Sequence, residues 1–236
     1  MDLSLLELLR CPYCGARLSL VDNISLKRVR STIDCGVLGC ECCAFPVVSG
    51  IPTLMANDRT REAVRALEAG HHETALFILL DLADKTRSTA FRRLLANDSK
   101  PTYRDALDVL SCDAEGTYFI YRFSDPTYLT AETLLRTVTQ HQTKSKHWLD
   151  LCGGSGHLTR VFTDINRNRK ADCFNVLVDV TFWKLWLAAR FTAPECTPVC
   201  CDANHPLPIV DDIFQMILLS DAFPYIWHKR LLANEM

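Results

Sequence analysis

Apolar residues along this chain fall into two patterns. In the C-terminal third they form short continuous runs such as WLDL, VLVDV and FQMILL, separated by polar stretches of helical length. Continuous runs of this kind predict strands buried on both faces, and strands that alternate with helices imply a parallel sheet. The pattern predicts strand 147–152, helix 156–166, strand 174–180, helix 182–191, strand 197–201 and strand 213–219, with a closing helix in HKRLLANEM. Residues 56–146 are read as helical. DRTREAVRALEAG and ETALFILLDLADK are rich in Ala and Leu, and Gly70 between them is a helix stop. Asp125-Pro126 reads as an N-cap followed by proline at the first helical position, opening PTYLTAETLLRTVTQ with Leu134, Leu135 and Val138 as its apolar face. Residues 1–55 follow neither period and hold six of the twelve cysteines. The chain therefore divides into residues 1–55, 56–146 and 147–236.

Composition narrows the class. An apolar content of 48% supports a real core, and a net charge of −2 gives no global attraction for nucleic acid or an anionic membrane. No run approaches the roughly 18 apolar residues of a transmembrane helix. The N-terminus MDLSLLELLR has no basic segment ahead of its apolar residues, so it is not read as a signal peptide. A reduced, cytoplasmic compartment follows, in which cysteines serve as metal ligands or small core residues.

Cys11-x-x-Cys14 is followed after 25 residues by Cys40-x-x-Cys43. Two such knuckles can bring four thiolates onto one tetrahedral ion, a structural Zn2+ whose binding supplies folding energy to a segment too short to gain it by burial alone. Cys42 is an alternative to Cys43 as fourth ligand, and Cys35 a more distant one. The flanks LLELLRCPYCGARL and FPVVSGIPTLM resemble the zinc-ribbon family of tRNA-methyltransferase activator proteins, through Leu5, Leu6, Cys11, Pro12, Cys14, Phe45, Pro46, Gly50, Ile51 and Pro52. The second knuckle lies slightly closer to Phe45-Pro46 than in that family. The resemblance implies an accessory ribbon with no chemistry of its own.

The stretch HWLDLCGGSGHLTRVF reads as strand, glycine-rich turn and helix start, the arrangement by which a parallel sheet offers backbone N–H groups to a nucleotide-like ligand. The glycines lack the G-x-G-x-x-G spacing of dinucleotide-binding turns. LDLCGGSGHLT resembles the first motif of the Rossmann-like class of S-adenosylmethionine-dependent methyltransferases. Asp150, Gly154 and Gly156 match that motif, and Cys152 stands where its first glycine is usual. The same resemblance makes Asp179, at the end of the second strand, the acceptor for both ribose hydroxyls, which one carboxylate can receive together. It places Asp202 against the adenine amino group, Ala203 beside the ring, and Ser220 and Asp221 at the mouth of the fourth strand near the methyl group. The Asp150–Asp179 separation of 29 residues is long for the family, and the loop in NRNRKADC accounts for it. Each carboxylate also has a plain structural reading. Asp150 can cap its turn, Asp179 the following helix and Asp202 a turn. Asp221 either polarises an acceptor or caps a helix from Pro224. His157 reads as a helix-start residue, and Arg167–Lys170 as a solvated loop.

The resemblance implies methyl transfer, an in-line displacement that depends mainly on placing the acceptor, with a dedicated base optional. The acceptor itself leaves no motif. The family's sheet has seven strands and this chain encodes four, so the chain is read as C-terminally truncated or completed by a partner. The expected fold is α/β: a partial Rossmann-like parallel sheet with flanking helices, preceded by a small zinc ribbon and a helical cap. The alternative to an enzyme is a non-catalytic methyltransferase-like protein whose ribbon docks a partner methyltransferase. Expected partners are a methyl acceptor and a protein meeting the ribbon or the exposed sheet edge, with neither membrane nor nucleic acid among them.

Overall fold

The computed structural model describes residues 1–96, 100–111, 114–140, 147–169 and 174–236. The chain is mixed α/β. It opens with helix α1 (Leu3–Leu8) and an antiparallel sheet of β1 (Ser19–Val21), β2 (Lys27–Val29), β3 (Thr32–Gly39), β4 (Ala44–Val48) and β5 (Ile51–Pro52). A helical layer follows: α2 (Asp58–Glu68), α3 (His72–Leu79), α4 (Lys85–Ala96), α5 (Tyr103–Leu110), α6 (Ala114–Tyr121) and α7 (Pro126–Thr139). The last part alternates β6 (His147–Leu151), α8 (His157–Arg169), β7 (Asn175–Asp179), α9 (Phe182–Leu187), β8 (Thr197–Cys200), β9 (Phe214–Leu219) and α10 (Lys229–Glu235).

The four late strands form one parallel sheet in the order β8-β7-β6-β9. In chain order this is 3-2-1-4, with the first strand beside the fourth. That reversal is the topological switch point at which open α/β sheets bind ligands, at the carboxyl ends of the strands. All four predicted strands, the two crossover helices and the closing helix are present. The second helix ends early, passing into a π turn at Ala188–Thr192 closed by Ala193 N–H donating to the Ala188 carbonyl at 2.8 Å.

Strand alternation divides the sheet's two faces. Trp148, Asp150, Leu177 and Asp179 face α8, α9 and the helical layer. Leu149, Leu151, Val176, Val178 and Val199 share a core instead with Leu5, Leu9, Phe45 and Leu54 of the N-terminal segment. The ribbon therefore stands where a doubly wound fold would carry helices. The crossover 201–213 contains no helix. It is stitched to the end of α1 by Arg10 N–H donating to the Pro208 carbonyl and Val210 N–H to the Leu8 carbonyl, both at 2.9 Å. Leu54 N–H donates to the Cys200 carbonyl at 2.7 Å, so the ribbon's exit also covers the β8 edge.

The helical layer differs from expectation at two points. ETALFILLDLADK is broken: α3 stops at Leu79, Asp81 takes φ +60°, and α4 restarts at Lys85. α7 starts as predicted, with the Asp125 carboxylate accepting from Thr127 N–H at 2.7 Å and Pro126 in the first turn. Its buried seam, however, runs through Tyr128, Leu135 and Thr139, leaving Leu134 and Val138 on the flank at 63% and 55% exposure.

Because ribbon and sheet share one core, a cavity in the ribbon destabilises both. Leu9→Ala is expected to cost about 2–5 kcal/mol. Urea unfolding followed through Trp148 and Trp186, both buried outside the ribbon, should show one transition with a lowered midpoint and unchanged slope. An unshifted tryptophan transition would separate the two units.

Candidate metal centre and cofactor cavity

The cysteine cluster sits where the loop after α1 meets the β3–β4 turn. Cys11 N–H donates to the Ala16 carbonyl and Gly15 N–H to the Cys11 carbonyl, both at 2.9 Å, which curls the first knuckle around its thiols. The sulfur atoms of Cys11, Cys14, Cys40 and Cys42 all lie within 4.8 Å of one another. Individual Sγ–Sγ distances are 3.6 Å for Cys11–Cys42, 3.8 Å for Cys14–Cys40 and 3.5 Å for Cys40–Cys42. Four sulfurs about 2.3 Å from a tetrahedral ion lie about 3.8 Å apart, so these thiols can hold a zinc-like ion.

The cluster contains Cys42, the alternative to Cys43 in the sequence, and Cys43 Sγ lies 3.4 Å from Cys42 Sγ at its edge. The Cys43 carbonyl accepts from Cys40 N–H at 3.0 Å to close the turn, and the side chains of Cys40 and Cys43 both pack against the edge of the shared core. Cys42, at the exposed tip, is free to point at the other thiols. Cys35 is buried in β3, outside the cluster. Burial alone raises the Cys40 thiol, but N–H donors of Cys42 and Cys43 bring it down to about 7.

A cavity of about 660 Å³ opens at the carboxyl ends of the parallel strands. Asp150, Cys152, Gly154, Asp179, Asp202, Ala203, Ser220 and Asp221 all line it. Gly156 does not. Its φ is +77°, and a Cβ there would lie 2.9 Å from the Ala188 Cβ, so it lets α8 start close against the segment after α9. Gly153 is equally constrained, since a Cβ would meet the Asp150 carboxyl and Leu177 at 2.6 Å. Cys152 adopts φ +58° without being glycine, a conformation that costs roughly 1–2 kcal/mol.

The carboxylates differ in how they are held. Asp150 is fully buried, accepts from the Thr159 hydroxyl at 2.6 Å, and is pushed up to about 7 by burial. Asp179 accepts Thr181 N–H at 2.8 Å on one oxygen and Gly154 N–H at 3.0 Å on the other, and burial raises its pKa too. It thereby ties the glycine turn to the end of β7, and each oxygen keeps a lone pair for a ligand. Asp202 caps a turn with one oxygen, accepting from the Asn204 backbone and side-chain amides at 2.9 Å, and its other oxygen has no hydrogen-bond partner among the described residues. Asp221 caps no helix. Its carboxylate meets the buried Arg122 guanidinium at 3.0 Å.

The other wall comes from residues that no sequence motif singled out. Tyr118 and Phe119 of α6, Arg122, Lys184 of α9 and Tyr225 line the cavity. Lys184 pairs with Glu115 at 2.5 Å and sits 5.3 Å from the Phe119 ring centroid. The one available signal was Arg122 set inside the apolar run YFIYRF. His157 opens α8 as expected, but it is buried against Phe119 and Phe123, and burial lowers its pKa to about 4. Arg167 belongs to α8 and pairs with Glu195 at 2.8 Å, while Lys170 and residues 171–173 of the NRNRKADC loop lie outside the described residues. The cavity volume and the carboxylate lone pairs of Asp179 and Asp202 suit a small ligand that donates hydrogen bonds. Among the described residues no helix is long and apolar enough to cross a membrane.

Neither a scan against protein-family models nor a search of curated proteins finds a match to this chain.

Two predictions follow from the geometry. Cys42→Ser should lower zinc retention during dialysis against a chelator, whereas Cys43→Ser should keep one zinc per chain, read by metal analysis; equal loss in both would return Cys43 to the ligand set. For Asp150, the folded-state pKa lies above the unfolded value. Its contribution to stability therefore falls as pH rises from about 4 to about 7, and stays low above that. Asp150→Asn should raise Tm at pH 8 and leave it nearly unchanged at pH 4.5, measured by calorimetry.

Proposed function

We propose that this chain is an S-adenosylmethionine-dependent methyltransferase with a structural zinc ribbon. One observation carries the reading. Asp150, Asp179 and Asp202 belong to three consecutive parallel strands or their ends, and all line one cavity with the glycine turn at the sheet's switch point. The bound sulfonium would supply a methyl group on a neutral thioether leaving group.

The chain's own residues have distinct tasks in this reading. Asp179 accepts the ribose hydroxyls with its free lone pairs, and its bond to Gly154 N–H keeps the turn in register. The other oxygen of Asp202 takes the adenine amino group, with Ala203 beside the ring. Ser220 lies at the end of β9, on the acceptor side of the cavity. Phe119, buried, gives the same region an apolar wall, with Tyr118 and Tyr225 at its open rim. His157, lowered to about 4, is neutral at pH 7 and a poor proton acceptor. Asp221 holds the Arg122 guanidinium with one oxygen, a positioning contact at the cavity wall. The neutral His157 favours an acceptor that is already nucleophilic, for which placement supplies most of the acceleration. Cys11, Cys14, Cys40 and Cys42 would hold Zn2+ in a folding role.

The alternative reading, a docking module for a partner methyltransferase, is less well supported. Leu5, Leu9, Phe45 and Leu54 are buried against this chain's own sheet and are not offered to a second protein. The outer edge of β9 is unpaired among the described residues and is the remaining place for a partner strand.

Calorimetric titration of zinc-loaded protein with S-adenosylmethionine tests the proposal. Saturable micromolar binding is expected, weakened by at least about tenfold in Asp179→Ala, which removes hydrogen bonds to a charged acceptor. Absence of binding by a folded, zinc-loaded chain, or binding insensitive to Asp179, would overturn it.

A further inference from the structure

A second cavity, of about 570 Å³, lies between the start of α5, the outer side of α8 and the π turn. It takes no part in the function proposed above. Its lining includes Arg104, Arg160 and Arg167 against a single carboxylate, Asp164, an excess of two positive charges in a chain whose net charge is −2. The arginines are poorly compensated. Asp164 is shared by Arg136, Arg160 and Arg167 at 3.9, 3.8 and 3.4 Å, all longer than the roughly 2.7–2.9 Å of a good charge-assisted bond. Arg167 is also held by Glu195 at 2.8 Å, but Arg104 is exposed and has no ion pair among the described residues.

The remaining walls are aromatic or hydroxylic. Phe191 packs edge-on to Tyr103 with centroids 6.3 Å apart, and the Tyr103 hydroxyl is pinned to Ser155 at 2.9 Å. The Arg160 guanidinium lies 5.4 Å from the Phe123 ring centroid. Thr192, 8% exposed, also lines the cavity, and its buried hydroxyl has no hydrogen-bond partner among the described residues. Phe191 and Thr192 are presented by the π turn, an irregularity that recurs at functional sites.

We propose that this cavity binds a nucleoside 5′-monophosphate, either free or as the 5′ end of an RNA strand. Arg104 and Arg160 would grip the phosphate, for which planar guanidinium groups are suited, and the Phe191–Tyr103 pair would take the base. The volume lies within the range of small-ligand sites.

The test is fluorescence titration of the zinc-loaded full chain with a fluorescent 5′-nucleotide, displaced by AMP, adenosine, inorganic phosphate, and a short RNA with or without a 5′-phosphate. The proposal expects saturable binding, AMP displacing at least about tenfold better than adenosine or phosphate. Arg104→Ala, at an exposed and unpaired position, should weaken binding about tenfold. Asp179→Ala should leave it unchanged, which separates this cavity from the cofactor cavity. Phe191→Ala should weaken AMP while leaving phosphate displacement as it was. AMP and 5′-phosphorylated RNA displacing equally marks a free nucleotide as sufficient; RNA displacing at least tenfold better marks a strand end. No saturable binding, binding insensitive to Arg104, or phosphate displacing as well as AMP would overturn the proposal.

Discussion

A parallel sheet presents apolar side chains on both faces, and each face must be covered. In this chain one cover is a ribbon organised around four thiols. Leu149, Leu151, Val176, Val178 and Val199 have no helix of the β8–β9 crossover to pack on; they meet Leu5, Leu9, Phe45 and Leu54. The ribbon's own strands are short, and the loop after α1 converges on the β3–β4 turn at the cysteine cluster. A metal held there fixes the position of α1 relative to β3 and β4, and so the surface on which the sheet rests. The order of dependence runs from thiols to ribbon, from ribbon to sheet face, and from sheet face to the alignment of the strand ends that line the cavity.

The cavity concentrates a second kind of constraint. Asp150 and Asp179 are carboxylates held on the helix-facing side of the sheet, where removal from water is costly unless donors compensate. Thr159 supplies one donor to Asp150, and the backbone N–H groups of Gly154 and Thr181 supply two to Asp179. The compensation is incomplete, and burial raises both pKa values. Cys152 adds backbone strain at the same turn. Desolvated acids and a strained turn within one cleft are characteristic of sites kept for binding at some expense of stability.

How much of this could be read in advance follows from what each feature depends on. The strands and their order of chemistry were legible, because LDLCGGSG, VLVDV and FQMILL are local patterns whose meaning does not depend on the rest of the chain. The N-cap and proline at Asp125-Pro126 were legible for the same reason. The place of Cys42 in the cluster was not, since the C-x-x-C spacing points to Cys43 and the convergence of the four sulfurs is a tertiary fact. Gly156 was legible as a motif position by its spacing; its close approach to Ala188 is a tertiary fact. The ribbon's place on the sheet was hidden for a further reason. Leu5, Leu9 and Phe45 are apolar in any small domain's core, and nothing in their spacing says that the core belongs to another sheet.

The two ends of the cavity are built differently, and this bears on how specificity is distributed. Asp179 and Asp202 stand at the ends of strands locked by parallel hydrogen bonding, and further backbone donors hold Asp179. A ligand contacted there meets groups with little freedom to adjust, which favours one ligand chemistry over close analogues. The opposite wall is made of side chains from α6, of Arg122 balanced between Thr127 and Asp221, and of Tyr225, itself 77% exposed. These groups can be exchanged or re-aimed without disturbing a strand. The strand-end wall is therefore constrained by the sheet, while the opposite wall depends on helix and loop side chains that no strand holds.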